Sequence, residues 1–209
     1  AGGEVTSEVK FTPKEKDGKA EVVFTFDGSN LEGKTLVAFE TLEKDNKIYA
    51  VHADLESREQ TIYFPKVRTS ARDVGTNSRS ARAEEDVEIV DTIFYSNLTA
   101  GREYTVEGTL MDRETGEPLL ETGEKITAET TFTPEADSGT VDVTFGFNAS
   151  DLAGKTVVAF ESVTREGEEV AAHKDLHYEG QTLRFPKLET RAAEKESGIL
   201  GVSRANPLV

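Results

Sequence analysis

The sequence predicts an all-β protein made of tandem immunoglobulin-like antiparallel β-sandwich domains, the first of them truncated at its N-terminus. Short runs alternate apolar and polar residues, as in AEVVFTFD at 20–27, which is typical of strands with one buried face. Turn-forming sequences such as TGEP at 115–118 separate these runs. No stretch keeps the 3.6-residue apolar period and the capping residues of a helix. Many short strands joined by turns favour a sandwich.

An internal repeat sets the domain organisation. The segment 11–40 returns as 132–161 with many identical residues, at an offset of 132 − 11 = 121. The same offset continues without a gap and carries the FPK sequence at Phe64 onto the FPK sequence at Phe185. The chain therefore contains two copies of one domain. The first-copy counterpart of residues 91–130 would lie almost wholly before residue 1, so we expect that copy to lack its first strands.

These patterns divide the chain into four segments. Residues 1–67 form the truncated repeat, and residues 84–188 form the complete repeat. Between them, residues 68–83 show no apolar periodicity and are predicted to be a linker. Residues 189–209 show no packing pattern and are predicted to be an extended tail or linker.

One stretch, GSNLEGKT at 28–35, matches the phosphate-binding P-loop motif. The second copy reads ASDLAGKT, with Ala149 in place of the first glycine of the motif. A P-loop leads from a strand into a helix, whose N-terminus binds phosphate. Here the residues that follow are TLVAFE, a short β-rich run. The sequence therefore indicates a turn that enters a strand, and not a nucleotide site.

Composition excludes several classes of function. The formal net charge of −16 opposes binding to nucleic acid, because affinity for phosphate backbones comes largely from Lys and Arg. The absence of cysteine excludes disulfides, zinc–thiolate sites and thiol nucleophiles. No apolar run approaches the ~18 residues of a membrane helix, so we expect no membrane insertion. The first residues lack the features of a signal peptide, and we expect a fragment of a longer protein with no cofactor and no metal.

A glutamine lies on the apolar face of the last predicted strand in each copy. Gln181 is in phase with Leu183 and Phe185, and Gln60 occupies the corresponding position in the first copy. A buried amide without hydrogen-bond partners costs about 1–3 kcal/mol. We therefore expect each glutamine to have specific polar partners.

Three further polar residues are candidates for those partners in the complete copy. Thr92 is in phase with Phe94 on the first predicted strand, although the opposite face of that strand, with Ile93, is also apolar. Glu161 ends the VVAFE run, and His173 follows shortly after it. We expect the threonine, the glutamate, the histidine and the glutamine to gather between the first and last strands.

The complete copy resembles the VaFE-repeat domains of Gram-positive bacterial surface adhesins. The segments that carry the resemblance are DTIFYSNLTAGREYTVEGTLMDRETGEPL (91–119), DLAGKTVVAFE (151–161) and HKDLHYEGQTLRFPK (173–187). In that family an intramolecular Thr–Gln ester can join the first strand to the last. The resemblance implies a structural stalk module on an extracellular, cell-wall-anchored protein, with the signal peptide and anchor outside this sequence. It implies no enzyme, since the domain reacts at most once with itself.

The resemblance also assigns roles and partners. Thr92 would be the nucleophile, Gln181 the acyl donor, His173 the base and Glu161 its buried acidic partner, with Asp175 as a motif-supporting turn residue. A histidine base suits a hydroxyl nucleophile near neutral pH. A buried, protonated carboxylic acid would hydrogen-bond to the amide oxygen and stabilise charge in the intermediate. The partners implied are neighbouring repeats of the same polypeptide and a host surface ligand bound elsewhere in the parent protein.

The sequence departs from the family pattern H-x-D-x-x-D-x-x-Q at one position. Tyr178 replaces the second aspartate, which leaves open whether the ester forms. The truncated copy keeps the equivalents Glu40, His52, Asp54 and Gln60. It has no threonine partner, so we expect no bond there unless another chain supplies the strand.

Other functions stay open at this stage. A host protein-binding or glycan-binding sandwich without a cross-link would show a large exposed apolar or aromatic patch. An enzyme that uses the Glu–His pair on external substrates would show a pocket open to solvent. A Lys–Asn or Lys–Asp cross-link is a third alternative, with Lys155 and Lys125 available, but we find no such pair on the terminal strands.

Overall fold

The computed structural model describes residues 4–190. Its regular structure consists of fourteen strands and three single-turn 3-10 helices, at Arg58–Gln60, Ser150–Leu152 and Glu179–Gln181. The all-β class predicted from the sequence is confirmed. Within the described residues, no helix has the length and apolar character required to cross a membrane.

The first repeat contains little regular structure. Its strands are β1 (Thr35–Val37), β2 (Glu40–Lys44), β3 (Lys47–His52) and β4 (Thr61–Tyr63). Strand β1 pairs with β4, and β2 pairs with β3, which gives two separate two-stranded antiparallel sheets. The P-loop-like residues 28–35 form turns that lead directly into β1, with the Leu31 N–H donating to the Gly28 carbonyl at 2.9 Å.

The second repeat is an antiparallel β-sandwich. Its strands are β5 (Lys66–Asp73), β6 (Val87–Ser96), β7 (Tyr104–Asp112), β8 (Leu120–Glu121), β9 (Glu124–Lys125), β10 (Thr127–Phe132), β11 (Gly139–Phe147), β12 (Thr156–Arg165), β13 (Glu168–His173) and β14 (Thr182–Arg184). One sheet has three strands in the order β11-β6-β5. The other has five strands in the order β10-β7-β12-β13, with β14 also paired to β12. Strands β8 and β9 form a small separate hairpin.

The two sheets enclose one apolar core. The three-stranded sheet contributes residues such as Ile93 and Phe145, and the five-stranded sheet contributes Leu110, Val157 and Leu183. All five are 0–1% exposed. This burial is the main source of the stability of the repeat.

The predicted linker at 68–83 is wrong, and so is the start of the complete repeat at residue 84. Residues 66–73 form β5, which pairs with β6 along its whole length. Val67, Thr69, Ala71 and Asp73 are buried on its inner face, and the residues between them are exposed. Because most of the inner positions carry small or polar side chains, the strand shows no apolar periodicity in the sequence. The second repeat therefore begins at Lys66.

The residues after β5 lead back to the end of the repeat. The carboxylate of Asp73 accepts the N–H of Thr76 at 2.6 Å in the turn that follows the strand. The N–H of Ala81 then donates to the carbonyl of Arg184 at 2.9 Å. Strand β5 itself contacts β13, β14 and the 3-10 turn at 179–181. The first and last elements of the repeat consequently lie side by side.

The predicted strand at 20–27 does not form in the described structure. Its counterpart β11 pairs with β6, but a first-repeat counterpart of β6 would begin at 87 − 121 = −34, outside the chain. The apolar side chains described in the first repeat are exposed or only partly buried for the same reason. Ile62 is 50% exposed, whereas its counterpart Leu183 is fully buried. The predicted tail at 189–209 lies outside the described residues from position 191 onward.

Candidate cross-linking site

Gln181 ends a 3-10 turn and points its amide into the space between the sheets. The residue is fully buried. Its Nε2 donates to Glu161 Oε2 at 2.5 Å and to the backbone carbonyl of His173 at 3.0 Å. The His173 carbonyl fixes the orientation of the amide, because an amide oxygen in that position would face another oxygen. The Gln181 Oε1 atom has no hydrogen-bond partner among the described residues.

Two buried carboxyl groups from opposite sheets meet beside this amide. Asp91 on β6 and Glu161 on β12 are both 0% exposed. Burial raises the pKa of Asp91 to about 6. Burial, together with the neighbouring Asp91, raises the pKa of Glu161 well above its ordinary value. Two neighbouring carboxyl groups cannot both ionise in a fully buried site, so the pair retains a proton near neutral pH.

Thr69 on β5 supplies a hydroxyl to the same site. The residue is 2% exposed, and its Oγ1 lies 3.4 Å from Nδ1 of His173. The hydroxyl also lies near Asp91 and Glu161, and it offsets part of the rise in the pKa of both carboxyls. A hydroxyl, a carboxamide, two carboxyls and an imidazole thus converge between the sheets.

His173 has the properties of a base at neutral pH. It ends β13 and is partly buried. Burial lowers the pKa of its imidazole, with smaller effects in the same direction from Arg68 and Lys66. The carboxylates of Asp175 and Glu32 oppose this shift. A neutral imidazole with its proton on Nε2 can accept the Thr69 proton at Nδ1.

The predicted pairing of Thr92 with the buried glutamine is wrong. Thr92 lies on the outer face of β6, in phase with the exposed Phe94, and its hydroxyl donates to Asp142 Oδ1 at 2.6 Å on β11. The inner face of β6 is the alternative one, which carries Ile93 and Asp91. Sequence alternation identified the two faces of the strand but not which one is buried.

The role expected for Glu161 also differs in the structure. Its carboxyl group contacts the amide nitrogen of Gln181, whereas a contact with the amide oxygen was predicted from the sequence. Asp175 lies in the turn after β13, where its carboxylate accepts the N–H of His177 at 2.9 Å. Asp54 of the first repeat accepts the N–H of Glu56 at the same distance. Both aspartates shape turns and do not contact the glutamines directly.

The first repeat contains only the amide half of this site. Gln60 is 7% exposed, and its Nε2 donates to Glu40 at 2.5 Å and to the carbonyls of Ala38 and His52 at 2.7 and 3.0 Å. The Oε1 atom of Gln60, like that of its counterpart, has no partner among the described residues. The counterpart of Thr69 would be at 69 − 121 = −52, outside the chain.

The lysine alternative is not favoured by the structure. Lys155 forms an ion pair with Asp112 at 2.8 Å. The lysine holds the pKa of Asp112 below its usual range, and the aspartate raises the pKa of Lys155. Both groups are therefore charged, whereas amide formation needs a neutral amine.

The two repeats correspond to two matches of one family model. The model of the T-Q ester bond containing domain matches residues 1–64 and again residues 65–185. The chain belongs to this family. The second match begins just before β5, as the structure requires of a complete repeat. No curated protein matches the chain.

Several solved structures are similar to part of this chain. One is a bacterial adhesin from Mobiluncus mulieris that contains intramolecular disulfide, isopeptide and ester-bond cross-links, at 18% identity and a TM-score of 0.47. The alignment covers 59% of this chain and 57% of the adhesin chain, so this chain spans little more than half of that protein. Another is a putative β-galactosidase from Bacteroides fragilis, at 13% identity and a TM-score of 0.42, with coverage of 64% of this chain and 19% of that one.

Proposed function

We propose that the second repeat forms an intramolecular ester between Thr69 and Gln181. The observation that carries the proposal is the burial of these two residues in one site with Asp91, Glu161 and His173. External substrates have no direct route to the amide, because Gln181 is fully buried. Two cavities of about 470 and 440 Å³ among the described residues are lined by residues outside this site. These facts support a reaction of the domain with itself over an enzyme acting on other molecules.

The first step is the attack of the hydroxyl on the amide. His173 Nδ1 takes the proton of Thr69 as Oγ1 forms a bond to the Cδ atom of Gln181. The resulting tetrahedral centre carries the former amide oxygen, amide nitrogen and threonine oxygen. The proton held by the Asp91–Glu161 pair provides acidic hydrogen bonding in a site shielded from bulk solvent, where such interactions are strong.

The second step is the loss of ammonia. The carboxyl group of Glu161 lies 2.5 Å from the amide nitrogen and can protonate it as the Cδ–Nε2 bond breaks. The proton that His173 took from Thr69 returns to the carboxyl pair. The net change converts one hydroxyl and one carboxamide into one ester and one ammonia. No cofactor or oxidant is needed.

The consequence of the bond is mechanical. It would join β5 to the turn that precedes β14, the first and last elements of the repeat. Tension along the chain would then pass through covalent bonds and bypass the sandwich. We therefore propose a stalk module of an extracellular adhesin anchored to the cell wall of a Gram-positive bacterium, in which repeats hold a binding region away from the cell.

Intact mass spectrometry tests the reaction. We expect the chain to be about 17 Da lighter than its sequence mass, through the loss of one ammonia. Thr69→Ala should remove this difference. Thr92→Ala, a matched change on the neighbouring strand, should keep it. A wild-type mass equal to the sequence mass, or a mass loss that disappears in Thr92→Ala, would contradict the proposal.

A further inference from the structure

We propose that Tyr178 is a positioning residue for ester formation, which holds the imidazole of His173 against the hydroxyl of Thr69. This inference rests on the proposed cross-link. The rings of Tyr178 and His173 lie with their centroids 4.6 Å apart and their planes at 64°, in an edge-to-face arrangement. Aromatic rings favour this arrangement, which fixes the orientation of one ring against the other.

The backbone of Tyr178 holds the turn that carries the reacting amide. Its carbonyl accepts the N–H of Gln181 at 3.2 Å and the hydroxyl of Thr182 at 2.9 Å. The residue that starts the turn carrying the glutamine is therefore the one that packs against the histidine. A shift of this turn would move the base and the acyl group together, so their relative position is preserved.

Gly180 provides the space for this contact. A Cβ atom at Gly180 would lie 2.4 Å from Cε1 of Tyr178, which is closer than real side chains approach. The first repeat has Ser57 and Glu59 at the positions of Tyr178 and Gly180. The large ring and the missing side chain therefore occur together in the second repeat, and neither occurs at the matching positions of the first.

The ring also controls hydration of the base. Besides Tyr178, the groups that face His173 are the hydroxyl of Thr69 and the charged side chains of Lys66, Arg68, Asp175 and Glu32. Removal of the ring would hydrate the imidazole and raise the pKa of His173, because burial is the main cause of its lowered pKa. Less neutral base would then be present at a given pH, so ester formation would require a higher pH.

The test follows ammonia loss after cell-free synthesis, with samples quenched in acid denaturant and analysed by intact mass at pH values from about 5 to 8. We expect Tyr178→Ala to slow the reaction about tenfold near neutral pH, part of the ~10²–10⁴-fold that a general base provides. Its pH profile should move to higher pH. Tyr178→Phe should keep the wild-type rate and profile, since the ring and not the hydroxyl makes the contact. Ser57→Ala is the matched control in the first repeat and should change neither.

Gly180→Ala supplies a second test if Tyr178→Ala folds poorly. It should slow the reaction although Tyr178 is present, because the added methyl group would displace the ring from His173. An unchanged rate and profile in Tyr178→Ala, or a Phe variant as slow as the Ala variant, would overturn the inference. A wild-type chain that never loses ammonia would instead refute the ester itself.

Discussion

Removal of the Thr69 hydroxyl should greatly destabilise the second repeat. An ester between Thr69 and Gln181 would close a loop of 181 − 69 = 112 residues. The chain-entropy model for a cross-link over such a loop gives about 5 kcal/mol, against a typical net stability of ~5–15 kcal/mol for a domain. The repeat spans about 120 residues, for which the entropy of unfolding is about 0.25 kcal/mol per degree. Thr69→Ala should therefore lower the melting temperature by about 20 °C.

Differential scanning calorimetry on chains of known mass measures this effect. Thr69→Ser retains a hydroxyl nucleophile and should keep both the ester and most of the stability. Thr92→Ala removes a similar side chain from a partly exposed position and should cost no more than about 1 kcal/mol. Equal melting temperatures for the wild type and Thr69→Ala, with the ammonia loss present only in the wild type, would refute the reasoning about loop closure.

Three further results are expected. Glu161→Gln should fold and keep its full sequence mass, because the amide has no acidic proton to give to the leaving nitrogen; intact mass and circular dichroism check this. Only one ammonia should be lost from the whole chain, and Gln60→Ala should leave that loss unchanged; a loss of two would contradict the account of the first repeat. The raised pKa of Asp91 means that the folded state holds a proton that the unfolded state releases, so stability falls as pH rises from about 4 to about 6. In a Thr69→Ala background, the free energy of unfolding from urea titrations should fall by about 3 kcal/mol over this pH range, relative to the same chain with the additional change Asp91→Asn. An equal pH dependence in the two chains would refute the raised pKa of Asp91.

Much of the site was predicted from the sequence because two independent features indicated it: strand alternation and the repeated family motifs. The glutamine was found from its position among apolar residues, and its partners Glu161 and His173 were found from family motifs that recur at a fixed offset. The structure brings these three residues together. The sandwich class followed from alternation and turn residues, which depend on local geometry alone.

Thr69 was missed because its strand carries little apolar surface. Small side chains at Thr69 and Ala71 fit beneath the last elements of the repeat, and a strand of this kind resembles a linker when only hydrophobicity is considered. A signal was nonetheless present: the offset of 121 carries Thr69 onto Thr190 and Ala71 onto Ala192. These identities beyond the FPK sequences indicate that the strand belongs to the repeated unit.

Asp91 was missed for a different reason. Both faces of β6 carry apolar residues, so alternation did not show which one is buried, and the choice of Thr92 placed its neighbour Asp91 outside. Burial depends on which sheet packs against the strand, and that information is tertiary. The absence of a strand at 20–27 is likewise a tertiary effect, since a strand needs a partner to satisfy its backbone groups.

A tryptic digest of the wild-type chain, analysed by tandem mass spectrometry, tests the central claim most directly. Cleavage after Lys and Arg places Thr69 in the peptide 69–72 and Gln181 in the peptide 175–184. We predict one linked species of these two peptides, about 17 Da lighter than their sum, with the fragment ions assigning the bond to Thr69 and Gln181. Separate, unmodified peptides, or a link from 175–184 to the peptide 83–102 that contains Thr92, would contradict it.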